Sequence, residues 1–125
     1  MDDGDERESA YELFRRGMRM LEDDHPGPAA MLLERALALE PAKASILEAL
    51  GRAYFNQGRP DLAAERFSAI VEHDPLADYA HFGLGLAAKR LGDRVTARRH
   101  LRMATSLRPD NADYRHALDR LGEPA

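Results

Sequence analysis

The 125-residue chain has no cysteine and no tryptophan. The missing thiols exclude disulfides, zinc–thiolate sites and thiol nucleophiles, and they fit a reducing compartment. Aromatic residues make up only 6%, so a core must be built mainly from Leu and Ala, which suits closely packed helices. Nothing approaches 18 consecutive apolar residues, so no transmembrane helix is expected. The start, Met1 to Glu6, is acidic and polar. It lacks the basic and apolar segments of a secretory signal, and a cytoplasmic location is expected.

Catalytic constellations are equally scarce. None of the five histidines pairs with another at the three- or four-residue spacing of helical metal sites, and no HExxH motif occurs. Stacking of units would bring His81 near His116. Asp23 and Asp24 fall at an exposed turn, where neither a cleft nor pKa tuning is expected. Gly83-Leu84-Gly85 resembles a fragment of a phosphate loop but lies inside a helical stretch, so packing explains it better. The reading is of a non-enzymatic chain with no catalytic, cofactor-binding or metal residues.

What the chain does have is charge (32%), apolar content typical of a globular domain (44%) and a net charge of −4. The net value hides a gradient. Residues 1–43 hold 6 Lys/Arg against 11 Asp/Glu, whereas residues 78–111 hold 7 against 3.

The chain also repeats. Pro41, Pro75 and Pro109 are 34 residues apart, and so are Gly17, Gly51 and Gly85. Ala29, Ala63 and Ala97 keep the same period, each followed four residues on by Leu33, Phe67 or Leu101. Four series in one register identify an internal repeat. Each unit reads as helix, turn, helix. In the middle unit Ala44–Gln57 carries apolar residues at helical spacing, Gly58-Arg59-Pro60-Asp61 breaks the chain, and a second helix covers Leu62–His73. The corresponding breaks are 24–28 in the first unit and 91–93 in the third. Ser9 and Glu12 form a capping box for the first helix. A glycine inside a helix costs about 1 kcal/mol relative to alanine. Its threefold recurrence therefore predicts close helix approach, with Gly17, Gly51 and Gly85 facing Ala29, Ala63 and Ala97.

With Leu50, Gly51 and Tyr54 followed by Ala63, Phe67 and Pro75, the middle unit resembles the tetratricopeptide repeat. The resemblance covers residues 10–111. The first unit departs at Arg16 and Met20, the third at His81 and Ala88, and Ile70 stands where Ala36 and Ala104 supply a small residue. The resemblance implies an all-α fold, a right-handed superhelical stack of three helix-turn-helix units at 10–43, 44–77 and 78–111. A capping helix at 112–121 completes a single domain over 9–121, with Tyr114, Leu118 and Leu121 facing the third unit. Residues 1–8 read as a disordered acidic N-terminus, and 122–125 as a tail.

In the resembling family the concave face, lined by the first helix of each unit, holds a segment of a partner protein. The resemblance thus implies a protein–protein interaction module of the adaptor or co-chaperone kind. The implied groove residues are Tyr11, Phe14, Arg15 and Met18 in the first unit, and Glu48, Arg52, Phe55 and Asn56 in the second, beside Ala49. The third unit supplies Tyr79, Phe82, Leu86, Lys89 and Arg90, and the capping helix adds His116 and Arg120. Tyr11 and Phe14 recur 68 residues on as Tyr79 and Phe82. These aromatics are either ligand anchors or packing between neighbouring first helices. Some members clamp the terminal carboxylate of a chaperone tail with Lys and Asn. Here Phe14, Met18, Glu48, Ala49 and Arg52 stand at the matching places, so the clamp is missing and a peptide with apolar and acidic residues is expected instead. Two alternatives stay open. One is homo-oligomeric self-assembly of the acidic first unit on the basic third. The weaker one is nucleic-acid association through the stripe Arg94, Arg98 and Arg102, disfavoured by a pI near 5.7.

Overall fold

The computed structural model describes residues 8–122. Over that span the protein consists of seven α-helices: α1 (Ala10–Glu22), α2 (Pro26–Leu39), α3 (Ala44–Asn56), α4 (Pro60–His73), α5 (Asp78–Arg90), α6 (Arg94–Leu107) and α7 (Ala112–Leu121). Each helix packs on the next in sequence, and α3 also touches α1 and α5. The fold is therefore an all-α stack of hairpins α1–α2, α3–α4 and α5–α6, ended by α7. The expectation of disorder at 1–7 and most of the proposed tail, 123–125, lie outside the described residues. Glu8 lies inside them, and its carboxylate pairs with Arg16.

Local chemistry sets the helix ends. Ser9 and Glu12 form the capping box: Glu12 N–H donates to Ser9 Oγ at 3.1 Å and Ser9 N–H to Glu12 Oε1 at 2.9 Å. Asp93 and Asn111 cap α6 and α7 by accepting the N–H groups of Thr96 and Tyr114, each at 3.1 Å. Within each hairpin the turn uses one left-handed residue, at Asp24 (φ 62°), Gly58 (φ 80°) and Gly92 (φ 84°). At Gly58 the next residue's N–H reaches back to Tyr54 O at 2.8 Å and Gly58 N–H to Phe55 O at 3.1 Å, satisfying carbonyls that α3 leaves free. Between hairpins, Glu40, Asp74 and Arg108 leave the helical region at φ near −137°. Each precedes one of the periodic prolines, whose ring disfavours helical backbone at the residue before it.

The helix limits differ slightly from the sequence reading. α2 begins at Pro26, so Pro26-Gly27-Pro28 belong to its first turn, and α4 begins at Pro60. Prolines are tolerated there because the first backbone N–H groups of a helix have no intrahelical partner to lose.

The core follows the repeat. Leu13, Leu33, Leu50, Ile70, Leu101 and Leu121 are fully buried, and Ala29, Ala63 and Ala97 have no exposed surface. The periodic glycines correct the expectation of small facing small. A Cβ on Gly17 would lie 2.7 Å from Leu33, one on Gly51 2.5 Å from the Phe67 ring and one on Gly85 2.7 Å from Leu101. At Gly85 the carbonyl oxygen of Ala97 also lies 3.3 Å away, farther than the Leu101 side chain. Each glycine clears room for the large residue one turn beyond the alanine. Small meets large.

α7 closes the stack. Tyr114, Ala117 and Leu121 are buried, Leu118 is half-buried, and Asp113, Arg115, Asp119 and Arg120 are exposed. Arg94 donates to Leu121 O, and Arg98 donates to Gly122 O at 2.9 Å. The two arginines thereby hold carbonyls at the C-terminal end of α7.

Candidate functional site

The helical spacing of Glu48, Arg52 and Asn56 puts an acid, a base and an amide at successive turns along one side of α3. Phe55 sits beside them. Tyr79, Phe82 and Leu86 form the facing side on α5. Together these seven side chains border an open cleft of about 270 Å³. Its floor is Phe67, whose ring reaches up from α4 and lies against two backbones. A Cβ would stand 2.5 Å from that ring at Gly51 and 2.6 Å from it at Gly83.

The walls are held by specific contacts. Phe82 packs against Tyr114 of α7, with ring centroids 4.7 Å apart and planes tilted by 31°. The Tyr114 hydroxyl donates to Asp78 Oδ2 at 2.5 Å. Burial, then this hydrogen bond, drives the Tyr114 pKa well above that of a free phenol. The Arg90 guanidinium lies over the Phe55 ring, 4.5 Å from its centroid. The Tyr79 hydroxyl titrates higher than usual, first because it is partly buried and then because Glu48, Asp74 and Asp78 lie nearby.

Among the described residues, three cations around the cleft enter no ion pair. Among the described residues the ion pairs are Arg16–Glu8, Arg35–Glu8, Arg59–Asp61 and Arg66–Glu34. Arg52, Lys89 and Arg90 are in none of them, and all three are exposed. Behind the cleft, Glu34 takes two donors at once, the Tyr54 hydroxyl and Arg66 at 2.9 Å. Partial burial and the Glu34 hydrogen bond push Tyr54 up to about 12. This cluster ties α2, α3 and α4 together.

The other candidate residues lie elsewhere. Tyr11 is 65% exposed on α1, with the Arg15 guanidinium 5.9 Å from its ring centroid. Phe14 and Met18 are half-buried against the core. His116 and Arg120 are exposed on α7 and do not border the cleft, and neither do Lys89 and Arg90, the latter standing over Phe55. The 68-residue match between Tyr11–Phe14 and Tyr79–Phe82 therefore has unequal outcomes: Tyr79 and Phe82 border the cleft, while Tyr11 is exposed and Phe14 half-buried. Ala49, read as a groove side chain, is buried.

Two cleft residues escaped the sequence reading. The sequence shows Phe67 only as the large residue that follows Ala63, and Gly83 only as packing inside a helix. The available signal was at position 83 itself: the residue one period earlier is Ala49, so Gly83 removes a methyl group where the preceding unit keeps one.

The histidines also rearrange. His81 meets His100, not His116: the two Nδ1 atoms are 3.0 Å apart, and His81 Nε2 lies 2.8 Å from Pro75 O. A carbonyl can only accept, so His81 carries its proton on Nε2 and accepts at Nδ1 from His100. Among the described residues no group of three or more potential metal ligands gathers, and no helix is long and apolar enough to cross a membrane.

A stack of 34-residue helical hairpins is what the tetratricopeptide repeat profile describes, and that profile matches residues 15–69 and 48–113. The chain belongs to the tetratricopeptide repeat family. Solved structures of the family superpose closely on it. The first tetratricopeptide repeat domain of Spaghetti (RPAP3), bound to the HSP90 peptide SRMEEVD, matches with a TM-score of 0.86 at 17% identity, over 90% of each chain. The Sgt2 domain from Aspergillus fumigatus gives 0.84 at 22% identity, over 90% of this chain and 76% of its own. YrrB, described as having an unusual peptide-binding site, gives 0.86 at 25% identity, over 90% of this chain and 58% of its own. No curated protein matches the chain.

Proposed function

We propose that residues 9–121 act as one cytoplasmic protein-interaction module, an adaptor or co-chaperone-like scaffold that holds a peptide segment of a partner along its first helices. The observation that carries this reading is the cleft between α3 and α5. Aromatic walls and an aromatic floor stand there beside Arg52, with Arg90 over Phe55, and among the described residues neither arginine enters an ion pair. Such a surface favours an apolar segment with acidic residues, because aromatic anchors bury much area with little loss of side-chain freedom and arginine pairs well with carboxylate. Family membership supports the reading at the level of the fold. The HSP90 peptide named for RPAP3 and the peptide-binding site named for YrrB belong to those proteins and supply a precedent. At the places of the lysine–asparagine clamp, Phe14, Met18, Glu48, Ala49 and Arg52 favour a different ligand chemistry from a chaperone tail.

The arginine stripe supports the nucleic-acid alternative less than its sequence spacing suggests, because Arg94 and Arg98 are occupied at the end of α7. Affinity capture from the native host, with mass spectrometry, supplies a partner for the test. Binding should fall at least about tenfold in Arg52→Glu/Arg90→Glu and stay unchanged in Arg99→Glu/Arg102→Glu on the outer side of α6. The opposite pattern would sink the groove reading.

A further inference from the structure

We propose that the pocket over Phe67 is an anchor site for a single leucine- to phenylalanine-sized side chain. The carboxylate that accompanies this anchor lies on the Arg52–Arg90 side and not on the Glu48 side. This inference rests on the groove reading above and specifies the occupant.

Three observations carry it. The first is size. A cavity of roughly 150 Å³ lined by aliphatic and aromatic groups binds benzene, and the pocket here offers about 270 Å³. One large apolar side chain fits, with room for its backbone at the open side. The second is origin. Position 83 has no side chain, and a methyl group there would collide with the Phe67 ring at 2.6 Å, so Gly83 makes room for the ring that forms the pocket floor. At the corresponding place between α1 and α3 the chain has Ala49 and the shorter Leu33. The aromatic floor thus marks this point of the stack, where one apolar anchor can meet the Phe67 ring.

The third is the order of charge around the rim. Glu48 borders one end of the α3 edge, Arg52 follows one turn later, and Arg90 lies over Phe55, three residues beyond Arg52 on the same edge. A carboxylate next to the anchor is attracted at the Arg52–Arg90 end and repelled at the Glu48 end, and reversing the peptide would juxtapose like charges. The rim therefore sets chain direction as well as composition.

A phage-displayed dodecapeptide library panned on the intact protein tests this. Enriched peptides should share one Leu, Met or Phe with Asp or Glu within two positions, always on the same side of it. A synthetic enriched peptide should bind at least about tenfold more weakly to Gly83→Ala, checked for unchanged helicity by circular dichroism. Arg52→Glu, on an exposed position that leaves the fold intact, should lose the acidic preference and gain affinity for the same peptide with lysine in place of its acid. Enriched peptides that bind Gly83→Ala and Arg52→Glu undiminished, yet weaken in Met18→Glu on α1, would overturn the anchor pocket and leave the groove reading standing. Failure of the library to enrich any peptide would overturn both.

Discussion

At the scale of single residues, the glycines act through what they make room for. Gly51 is the sharpest case, because a methyl group there lies 2.5 Å from a ring that is itself trapped between two helices. Gly51→Ala should lower stability by about 1–3 kcal/mol through overpacking, and Phe67→Leu in the same chain should restore part of that loss. Urea unfolding of the two single variants and the double variant measures the coupling. The turn positions behave differently. Gly58 has open space around it but a φ of 80°, so Gly58→Ala should cost about 1 kcal/mol from backbone strain alone. Asp24 takes the same conformation with a side chain, and Asp24→Gly should add about 0.5 kcal/mol.

Position 24 also marks what the sequence could reveal at this scale. Positions 24, 58 and 92 form a further 34-residue series in backbone conformation, hidden because Asp stands where the other two units have Gly. The periodic glycines were visible, but their targets were not. Spacing along a chain tells which residues share a helix face, while the rotation of one helix against its neighbour decides whether that face meets Ala63 or Phe67.

At the scale of elements, α5 and α6 are joined by the His81–His100 contact. With both rings neutral, His81 donates from Nε2 to Pro75 O at 2.8 Å and accepts at Nδ1 from His100 Nδ1 at 3.0 Å. Burial, then the proximity of His81, lowers the His100 pKa. The unfolded chain therefore binds that proton more readily than the folded one. Stability from this contact is complete above the unfolded value of about 6.5 and declines as pH falls below it. The urea midpoint should drop between pH 7 and about pH 5, before most carboxylates titrate. His100→Asn, which can still donate to His81, should flatten that part of the profile. An unchanged slope in that variant would remove the pair as its cause. The departure at His81 was legible, since a histidine stood where a bulky apolar residue is usual. Its partner was not, because His100 lies on α6, whose rotation the period alone does not specify.

At the scale of the molecule, the described core divides in two. One apolar cluster runs from α1 into α5, and a second joins Ala88, Ala97 and Leu101 to Ala117 and Leu121. In a linear stack each hairpin is stabilised mainly by its neighbours. Native-state hydrogen exchange should therefore show α6 and α7 opening at lower free energy than α2 to α4. Arg94→Ala/Arg98→Ala should widen that gap by releasing the end of α7. The order of helices was legible because it follows from the repeat. The cleft was only half legible. Its rim residues lie on one helix face each and can be counted off, whereas its floor comes from a third helix and a missing methyl group.

One aromatic ring touches the backbones of α3 and α5 at once, and this makes the width of the cleft and the angle between the second and third hairpins a single mechanical variable. A ligand that fills the space above Phe67 must also fix the pitch of the rod, and tension applied along the rod must loosen its grip on that ligand.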